Sequence, residues 1–324
     1  MPANLPPQYF EAEKKYRQAR TPSEKMIALE TMLAIMPKHK GTDKLRAELR
    51  RKISQLRDES LRKTGGKRSQ LFDLDKTGAG QVVLVGFPNV GKSQIVRSLT
   101  QAKPEVGEYP YTTRLPIPGM MKYENIQIQL VDIPSILDES ARAWLMNIVR
   151  NADALLLIVD LTDDPDTQAE ILLEELHKFK VRPERFGGSE EAGFVGKKIM
   201  IVGNKLDAEG AEESYFRLRD GLPQFITIPI SATKGKNLED LRTEIFKLLQ
   251  IVRAYTKAPG KEPDFKNPVI LKKGSTVIDF ASQIHKDFVK KLRYARIWGK
   301  NKYQGQRVPR DYIVEDGDTI ELHI

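Results

Sequence analysis

The feature that most constrains the fold is an octapeptide that joins an apolar run to a helix-forming segment. The run "QVVLVG" is typical of a buried strand, and "GFPNVGKS" at residues 86–93 begins at its last glycine. This spacing matches the phosphate-binding pattern G-x-x-x-x-G-K-[ST], which lies between a strand and a helix. Its glycines allow backbone N–H groups to surround a phosphate, and the positive end of the helix favours the same anion. The octapeptide therefore predicts a nucleotide phosphate site in an α/β fold.

Apolar runs and helical patterns alternate along residues 81–255. The segments "IQIQLVD", "ALLLIVDL", "KKIMIVGNK" and "FITIPIS" are typical of strands. The segments "DTQAEILLEELHKFK" and "NLEDLRTEIFKLLQIVRAY" have helical spacing. Strands that alternate with helices indicate a mainly parallel sheet covered on both faces.

The regions on either side of this predicted sheet have other patterns. Residues 1–62 are expected to form a small helical domain whose core is a stripe of Met and Leu residues, and residues 63–80 a basic, glycine-rich linker. Within residues 256–324, "PVILKKGST", "YARIWG" and "DTIELHI" are strand-like, and "VIDFASQIHKDFVKKL" is helical. These elements predict a small α+β domain.

The net charge of +9 is unevenly distributed over the 324 residues. Residues 1–76 carry 18 Lys/Arg and 10 Asp/Glu, residues 77–255 carry 21 and 25, and residues 256–324 carry 14 and 9. Two basic ends around an acidic middle predict that the ends contact an anionic partner, although a solvated charged surface explains the same counts.

The remaining composition restricts the class of protein. The chain has no cysteine, so disulfides and thiolate metal sites are excluded, and its four histidines lack ligand spacing. The apolar run "ALLLIV" is far too short to cross a bilayer, and the N-terminus lacks the pattern of a secretory signal. We expect a soluble cytoplasmic protein without a membrane partner.

Two further segments predict which base the site accepts. "GNKLD" at residues 203–207 ends one predicted strand, and "SAT" at residues 231–233 follows another. Asp207 offers two acceptor oxygens that suit the N1–H and exocyclic amine of guanine, a pair of donors that adenine lacks. Asn204 and Lys205 are expected to brace the base and its loop. The predicted nucleotide-binding residues are Gly86, Asn89, Val90, Gly91, Lys92, Ser93, Gln94, Asn204, Lys205, Asp207, Ser231, Ala232 and Thr233.

A magnesium ion is expected beside the phosphates. Lys92 is expected to reach the β- and γ-phosphate oxygens, and the Ser93 hydroxyl to coordinate Mg²⁺. In "YPYTTR", residues 109–114, a threonine hydroxyl can reach the ion once the γ-phosphate is bound. We choose Thr113, with Thr112 as the alternative. Asp132, in "LVDIPS", is expected to hold Mg²⁺ through a water molecule.

These motifs together resemble a known family. "GFPNVGKS", "YPYTT", "DIPS" and "NKLD" resemble the guanine-nucleotide signatures of Obg-type GTPases, specifically the developmentally regulated GTP-binding protein branch. The segment that begins "PDFKNPVILKKGST" resembles the C-terminal TGS domain of that branch, a β-grasp fold associated with RNA and ribosome contact. The resemblance covers nearly all of the chain.

The resemblance implies a fold, ligands and partners. The expected fold is α/β, with a P-loop GTPase domain of mainly parallel sheet between the small helical domain and the TGS domain. The implied ligands are GTP and GDP with Mg²⁺, and the implied partner of the basic end domains is the ribosome or structured RNA. Relatives with an apolar residue directly after D-x-x-G are thought to recruit K⁺ through an asparagine of the phosphate loop, a place that Asn89 occupies.

The chain departs from the family pattern in three places. The inserted domain that those relatives carry before the "NKxD" strand is replaced by "PERFGGSEEAGFVG", and the segment after D-x-x-G is short. The third departure is Ser135 in the place of the glycine. A side chain there costs about 1–2 kcal/mol if the GTP-bound state needs a positive φ. Loss of the hydrogen bond to the γ-phosphate costs about 1.5–3 kcal/mol.

Ile136 is a second obstacle to catalysis. It stands where Ras-like proteins have a glutamine that orients the attacking water, and isoleucine has no group for that task. We therefore expect slow GTP hydrolysis, raised by K⁺ or by a ribosomal partner, in a nucleotide-gated factor that acts on the ribosome or structured RNA. One alternative is a GDP/GTP-sensing module with little or no hydrolysis. Another is a regulatory protein that binds a protein partner through its N-terminal helices.

The C-terminal segment "HKDFVKKLRYARIWGKNKYQGQR" interleaves basic residues with Tyr294, Trp298 and Tyr303. Basic side chains beside exposed aromatic rings are typical of surfaces that bind single-stranded or looped RNA. We expect most of these aromatic residues to fill the core of the small domain instead. The lysines are then the better candidates for RNA contact.

Overall fold

The computed structural model describes residues 6–18, 22–36, 42, 45, 47–49, 51–53, 74–100, 116–138, 141–184, 193–300 and 302–324. The chain divides into two compact units, Met1–Asp73 and Leu74–Ile324. No helix among these residues is long and apolar enough to span a membrane.

The N-terminal unit is helical. Helix α1 is Pro7–Gln18, helix α2 is Pro22–Ile35, and residues 45, 47–49 and 51–53 are also helical. The predicted stripe of Met and Leu residues contributes to one hydrophobic cluster. Its buried members are Tyr9, Ala12, Leu29, Met32, Met36 and Leu49. The sequence-based expectation of a small helical core is confirmed for these residues.

The second unit begins with a seven-stranded sheet in the order β2-β3-β1-β4-β6-β5, in which β7 also pairs with β6. Its strands are β1 (Gln81–Gly86), β2 (Ile117–Tyr123), β3 (Ile126–Asp132), β4 (Ala154–Asp160), β5 (Val181–Pro183), β6 (Val195–Asn204) and β7 (Ile226–Pro229). Only the pairing of β2 with β3 is antiparallel within these described strands. The predicted parallel sheet is confirmed, whereas β2 and β5 were not predicted.

Helices cover both faces of this sheet. They are α3 (Lys92–Leu99), α4 (Arg142–Asn151), α5 (Pro165–Lys178), α6 (Ala211–Gly221) and α7 (Leu238–Leu249). Alternate residues of β1 enter two separate cores: Val83 and Val85 pack with α4, α5 and α6, and Val82 and Leu84 pack with α3 and α7. This arrangement leaves the loops at the carboxyl ends of the parallel strands as the place for a ligand.

The C-terminal region has a five-stranded sheet of its own, in the order β11-β10-β12-β8-β9. The strands are β8 (Ile251–Thr256), β9 (Val269–Lys272), β10 (Tyr294–Trp298), β11 (Gln306–Val308) and β12 (Asp318–His323). Helices α8 (Val277–Ile284) and α9 (Lys286–Lys291) pack on one face, where Phe280, Leu292 and Ile297 are fully buried. The predicted small α+β domain is confirmed.

Two predicted helices differ from the structure. The helix expected over residues 237–255 ends at Leu249, and residues 251–256 form β8, so the second sheet begins before residue 256. Val252 and Ala254 enter the C-terminal core on alternate positions, and the backbone pairs with β9 and β12. These tertiary contacts override the local helical pattern. The helix expected over residues 277–292 is interrupted at His285, whose backbone is extended.

The predicted linker is only partly described. Residues 63–73 lie outside the described residues, but residues 74–80 lie against the first sheet. Ala79 N donates to Gln127 O at 2.7 Å, and Lys76 Nζ lies 2.5 Å from Asp153 Oδ1. Gly78 also bridges to Ile128 of β3.

Arg253 on β8 joins the two sheets. Its guanidinium makes two hydrogen bonds with the carboxylate of Asp316, at 3.0 and 2.7 Å, and a further ion pair with Glu124. It also lies 5.0 Å from the ring centroid of Phe246 on α7. Glu124 is at the turn of the β2–β3 hairpin, so one largely buried cation holds that hairpin and the C-terminal domain together.

An Arg253→Met variant should be less stable by about 1.5–3 kcal/mol, the usual contribution of hydrogen bonds to charged groups. The midpoint of urea unfolding measures this loss. Lys247→Met removes the cation of an exposed ion pair on α7 and should leave the unfolding midpoint nearly unchanged, because exposed ion pairs contribute little to stability. Equal midpoints for the two variants would contradict the role assigned to Arg253.

Candidate functional site

A tight loop of residues 87–91 connects β1 to α3. Asn89 and Gly91 have left-handed backbones, with φ of 64° and 95°. A Cβ atom on Gly86 would overlap with Ile158 O, and one on Gly91 would overlap with the side-chain amide of Asn204. Both glycines are therefore required by close approach of the neighbouring strands, while Val90 is buried beneath the loop.

Lys92, the first residue of α3, closes this loop. Its ammonium group donates to Gly86 O at 3.0 Å and to Phe87 O at 2.8 Å. Burial lowers the pKa of Lys92, and the nearby carboxylate of Asp132 opposes that effect. A cation thus lies beside backbone N–H groups at a helix N-terminus, which is an arrangement that attracts phosphate.

Asn204, at the end of β6, connects the phosphate loop to the loop after β7. Its side-chain Nδ2 donates to Val90 O at 2.8 Å, and its Oδ1 accepts from Ala232 N at 3.1 Å. Because Asn204 is 3% exposed, these bonds are shielded from water. Ser98 Oγ donates to Ala232 O at 3.0 Å and adds a second connection from α3 to the same loop.

Asp207 lies at the exposed edge of the same loop cluster. Ser231 Oγ donates to Asp207 Oδ1 at 2.5 Å, and this bond is the main reason that the pKa of Asp207 is lowered. Lys234 N in turn donates to Ser231 Oγ at 3.0 Å. The Asp207 carboxylate is therefore oriented and held ionised, with Thr233 exposed beside it.

Lys205 has a contact that the sequence did not predict. Its ammonium group pairs with the carboxylate of Asp160 at the end of β4, which also accepts from Thr162 N at 3.0 Å and Thr162 Oγ1 at 2.7 Å. Gln168 Oε1 accepts from Asp160 N at 3.0 Å. The available signal was a charged residue at the end of the otherwise apolar segment "ALLLIVD". Lys205 braces the loop through that strand.

Ser93 and Asp132 supply oxygen atoms beside the phosphate loop. Ser93 Oγ donates to Asp132 Oδ2 at 2.5 Å, and burial raises the pKa of Asp132. A hydroxyl and a carboxylate are hard oxygen donors of the kind that Mg²⁺ takes beside bound phosphates. The donor set therefore fits the expected Mg²⁺. The third expected ligand, Thr113, lies outside the described residues.

The segment after Asp132 is anchored in the core. The Ile136 side chain is fully buried in the cluster on the α4, α5 and α6 side of the sheet. Ser135 O accepts from Asp138 N at 3.0 Å, and Ser135 is not among the described residues with positive φ. In this conformation Ser135 carries no backbone strain, and the Ile136 side chain is enclosed in the hydrophobic core.

A cavity of about 510 Å³ opens beside the phosphate loop, between residues 87–90 and the start of α5. Three of its lining residues are the acidic Asp160, Asp163 and Asp164. Carboxylates repel phosphate, so this cavity is not where the diphosphate of a nucleotide would lie. The loop cluster around Lys92, Asn204 and Asp207 fits that ligand better.

The structure thus brings together the predicted residues of the phosphate loop, the "GNKLD" loop and the "SAT" loop. The hydrogen bonds of Asn204 and Ser231 link these loops directly. Gln94 lies exposed on α3, where its Nε2 donates to Ser98 Oγ at 3.3 Å. The roles assigned to the individual residues stay predictions.

Comparisons with known proteins agree with this architecture. Residues 81–188 match the family described as 50S ribosome-binding GTPase, and residues 252–324 match the TGS domain. The YchF GTPase of Schizosaccharomyces pombe is similar in fold, with a TM-score of 0.52, 15% identity and coverage of 77% of this chain and 99% of that one.

Relatives match along most of their length. An uncharacterized GTP-binding protein of Methanocaldococcus jannaschii is 31% identical, with 93% of this chain and 92% of that protein covered. Developmentally-regulated GTP-binding protein 1 of Xenopus laevis is 26% identical, with 92% and 98% covered. Ribosome-interacting GTPase 1 of Saccharomyces cerevisiae is 29% identical, with 93% and 99% covered. The alignment with the Methanocaldococcus protein extends over 366 positions, so that relative carries residues which this chain lacks.

The fold and the loop cluster define a P-loop GTPase domain joined to a TGS domain. The chain belongs to the family of developmentally regulated GTP-binding proteins, within the Obg-like GTPases. It is therefore a GTP-binding protein.

An Asn204→Ala variant should bind GDP about 5- to 100-fold more weakly. It loses two buried hydrogen bonds, each worth about 0.5–1.5 kcal/mol, and tenfold in affinity corresponds to about 1.4 kcal/mol. Isothermal calorimetry with GDP and Mg²⁺ measures the change. The control is Asn151→Ala, which removes an exposed amide on α4 and should leave affinity unchanged. Equal GDP affinities in the two variants would refute the bridging role of Asn204.

Proposed function

We propose that this protein hydrolyses GTP slowly, with stimulation by K⁺, and acts as a nucleotide-gated factor on the ribosome or structured RNA. The observation that carries the proposal is the set of Asn204 hydrogen bonds, which places the phosphate loop and the two base-recognition loops in one site. Family membership identifies the nucleotide as GTP or GDP. The excess of Lys and Arg at the two ends of the chain provides a surface for an anionic partner.

The proposed roles in binding follow from the contacts. Lys92 and the backbone N–H groups of residues 86–94 hold the phosphates, because a cation and a helix N-terminus converge there. The Asp207 carboxylate accepts from guanine N1–H and its exocyclic amine, and Ser231 keeps that carboxylate in place. The loop of residues 231–233, held by the hydrogen bond from Ala232 N to Asn204 Oδ1, is the proposed neighbour of the guanine oxygen.

Magnesium is proposed to bind at Ser93 directly, at Asp132 through a water, and at Thr113 in the GTP state. When bound, the ion neutralises phosphate charge. The residues of the chain position it: the hydrogen bond from Ser93 to Asp132 already holds the two oxygen donors together. Removing either donor should weaken Mg²⁺-dependent GTP binding more than GDP binding.

The proposed hydrolysis is slow because the residue directly after the D-x-x-S segment has no group that can orient water. Ile136 is apolar and buried, so it neither contacts the phosphate nor orients water. Asn89, exposed at the tip of the phosphate loop with a left-handed backbone, is the proposed oxygen ligand for K⁺. A monovalent cation there would add positive charge beside the transferring phosphoryl group.

The burial of Ile136 also favours the second candidate function, a GDP/GTP-sensing module with little hydrolysis. Full burial of an isoleucine contributes about 1.5–3 kcal/mol. A large movement of the Asp132–Ser135 segment toward a γ-phosphate would pull Ile136 out of its core and lose that contribution. The anchored segment therefore restricts switching to the few residues before Ile136, while the loops that hold the base and diphosphate are unaffected.

The ribosome or structured RNA is proposed as the partner for two reasons. One relative is named a ribosome-interacting GTPase, and the matched family is described as ribosome-binding. The structure adds a physical connection between the candidate nucleotide site and the TGS domain. Strand β2 follows the "YPYTTR" segment, β3 ends at Asp132, and the turn between them is bonded to Arg253 at the start of the TGS sheet. A shift of this hairpin on GTP binding would move the TGS domain.

The hydrolysis rate separates the two candidate functions. In a single-turnover assay with GTP, we expect the protein to release phosphate at about 10⁻⁴–10⁻³ s⁻¹, near the intrinsic rate of Ras, and faster in KCl than in NaCl. Ser135→Gly should raise the rate, because it removes the side chain from a peptide that must rotate. Asn89→Ala should abolish the difference between the two salts. No release of phosphate under any condition would support the sensing module instead.

Ribosome co-sedimentation tests the partner. We expect the full chain to pellet with ribosomes more strongly in the presence of a non-hydrolysable GTP analogue than with GDP. Binding should weaken steeply between 50 and 200 mM salt, because phosphate contacts release counterions. Binding that is absent in every nucleotide state would remove the ribosome from the proposal.

A further inference from the structure

One face of the C-terminal sheet carries a set of aromatic and basic side chains that the nucleotide site does not use. Along β10, Ala295 and Ile297 enter the core under the helices, whereas Tyr294, Arg296 and Trp298 project from the opposite face. The expectation that most of the aromatic residues Tyr294, Trp298 and Tyr303 fill the core is therefore wrong. Tyr294 and Trp298 are half-buried on the open face, and Tyr303 is 85% exposed.

The first component of this face is a stack of three planar groups. The Tyr294 and His323 rings lie 4.5 Å apart with an interplanar angle of 9°. The guanidinium carbon of Arg307 lies 3.9 Å from the Tyr294 ring centroid. Among the described residues Arg307 forms no ion pair and is exposed, so its N–H donors remain available to a ligand. Stacking orients the guanidinium and lowers the entropy lost when it binds.

The second component is the pair of Lys257 and Trp298, about 13 Å along the strand from Tyr294. Lys257 Nζ lies 4.7 Å from the Trp298 ring centroid and pairs with the carboxylate of Glu321. A Cβ atom on Gly305 would lie 3.3 Å from the Trp298 ring, so the backbone of this glycine passes close to the indole. Two fixed aromatic platforms thus lie on one surface.

The charge of the face is positive. Arg296 is exposed between the two platforms and is paired in register with Glu321 across the strands, yet no ion pair joins them. The Glu321 carboxylate is instead occupied by Lys257 and by His323 Nε2, at 2.7 Å from the latter. Three cations, at residues 257, 296 and 307, therefore face one carboxylate, which leaves a net charge of +2.

We propose that this stacking face, formed by Tyr294, Arg296, Trp298, Arg307 and His323, binds single-stranded RNA. Bases would stack on the planes of Arg307 and Trp298, and the N–H donors of Arg296 and Arg307 would bind phosphates. Flat rings on a sheet reach the faces of unstacked bases, whereas the bases of a duplex are stacked on each other and expose only their edges. The inference rests on the proposed function and specifies the surface that contacts RNA.

Acidic protein is the competing partner, and the observations favour RNA. An acidic peptide would use the guanidinium groups of Arg296 and Arg307, which form no ion pair within the described part of the chain, but would leave the planar stack without a ligand. Single-stranded RNA would use both the guanidinium groups and the planar stack. Base stacking is also sequence-tolerant, because every base has a π-face. The contact of Asn125 with Tyr255 covers the β8 end of the sheet, so the available surface is that of β10, β11 and β12.

Fluorescence anisotropy with the full chain tests the inference. The probes are a fluorescein-labelled unstructured 12-nucleotide RNA and the duplex of the same sequence. Arg307→Gln and Tyr294→Leu should each weaken binding of the single strand by about tenfold or more. Tyr294→Phe keeps the stacked ring and should change affinity by less than about twofold. Lys290→Gln removes an exposed lysine on α9, outside the stacking face, and should also have little effect. GDP affinity and the thermal unfolding midpoint of each variant verify that it is folded.

The outcomes distinguish this inference from the proposed function. RNA binding that persists in Arg307→Gln and Tyr294→Leu but fails in Lys290→Gln would overturn the stacking face and leave RNA as the partner. Equal competition by poly-glutamate and RNA would also overturn it, because charge alone would explain binding. If the face variants lose ribosome co-sedimentation but still bind the 12-mer, the face contacts ribosomal protein and the inference is wrong. Absence of ribosome and RNA binding in the unaltered chain would remove both proposals.

Discussion

The geometry of the nucleotide site depends on the side-chain amide of Asn204. A loop cluster at the ends of parallel strands is built from segments far apart in sequence, and here one buried amide bonds to two of them, at Val90 and Ala232. A carboxamide suits this task because it carries a donor and an acceptor on one rigid group. Gly91 has no side chain where this amide approaches, so the two residues depend on each other. Lys92 and the Ser231–Asp207 pair then add charge of opposite sign at the two ends of the site.

The ion pairs of Arg253 and the buried side chain of Ile136 have opposite effects on conformational change that starts at the candidate nucleotide site. Arg253 forms ion pairs with Glu124 in the turn of the β2–β3 hairpin and with Asp316 of the TGS domain, so it connects the two directly. Ile136, fully buried, restrains the other end of β3. In the proposed nucleotide-gated function, a GTP-dependent change would therefore involve the hairpin and the few residues between Asp132 and Ile136.

Much of the fold could be predicted, and the errors have physical causes. The apolar runs of β1, β4 and β6 are buried on both faces, so their pattern is strong, and the loops that follow them carry the recognisable residues. Residues 251–256 look helical locally, but the backbone pairs with β9 and β12, and the core accepts only alternate side chains. Asp160 and its ion pair with Lys205 were missed, because the charged residue at the end of β4 does not indicate its partner, which lies 45 positions further along the chain. The position of Tyr294 and Trp298 was predicted wrongly for the same reason: their face depends on which side α8 covers.

The sequence by itself determined the phosphate loop, the choice of guanine as the expected base and the order of the domains, because these depend on residue types at short, fixed spacings. Only the tertiary structure decided that Asn204 connects the loops, that Ile136 lies in a core, and that Arg307, Tyr294 and His323 stack into one surface. The hydrogen bonds of Asn204 and the stack around Tyr294 join residues that are between 13 and 114 positions apart. A local sequence pattern shows which residue types lie at short spacings. The partners of those residues depend on how the strands pair and on which faces of the sheets the helices cover.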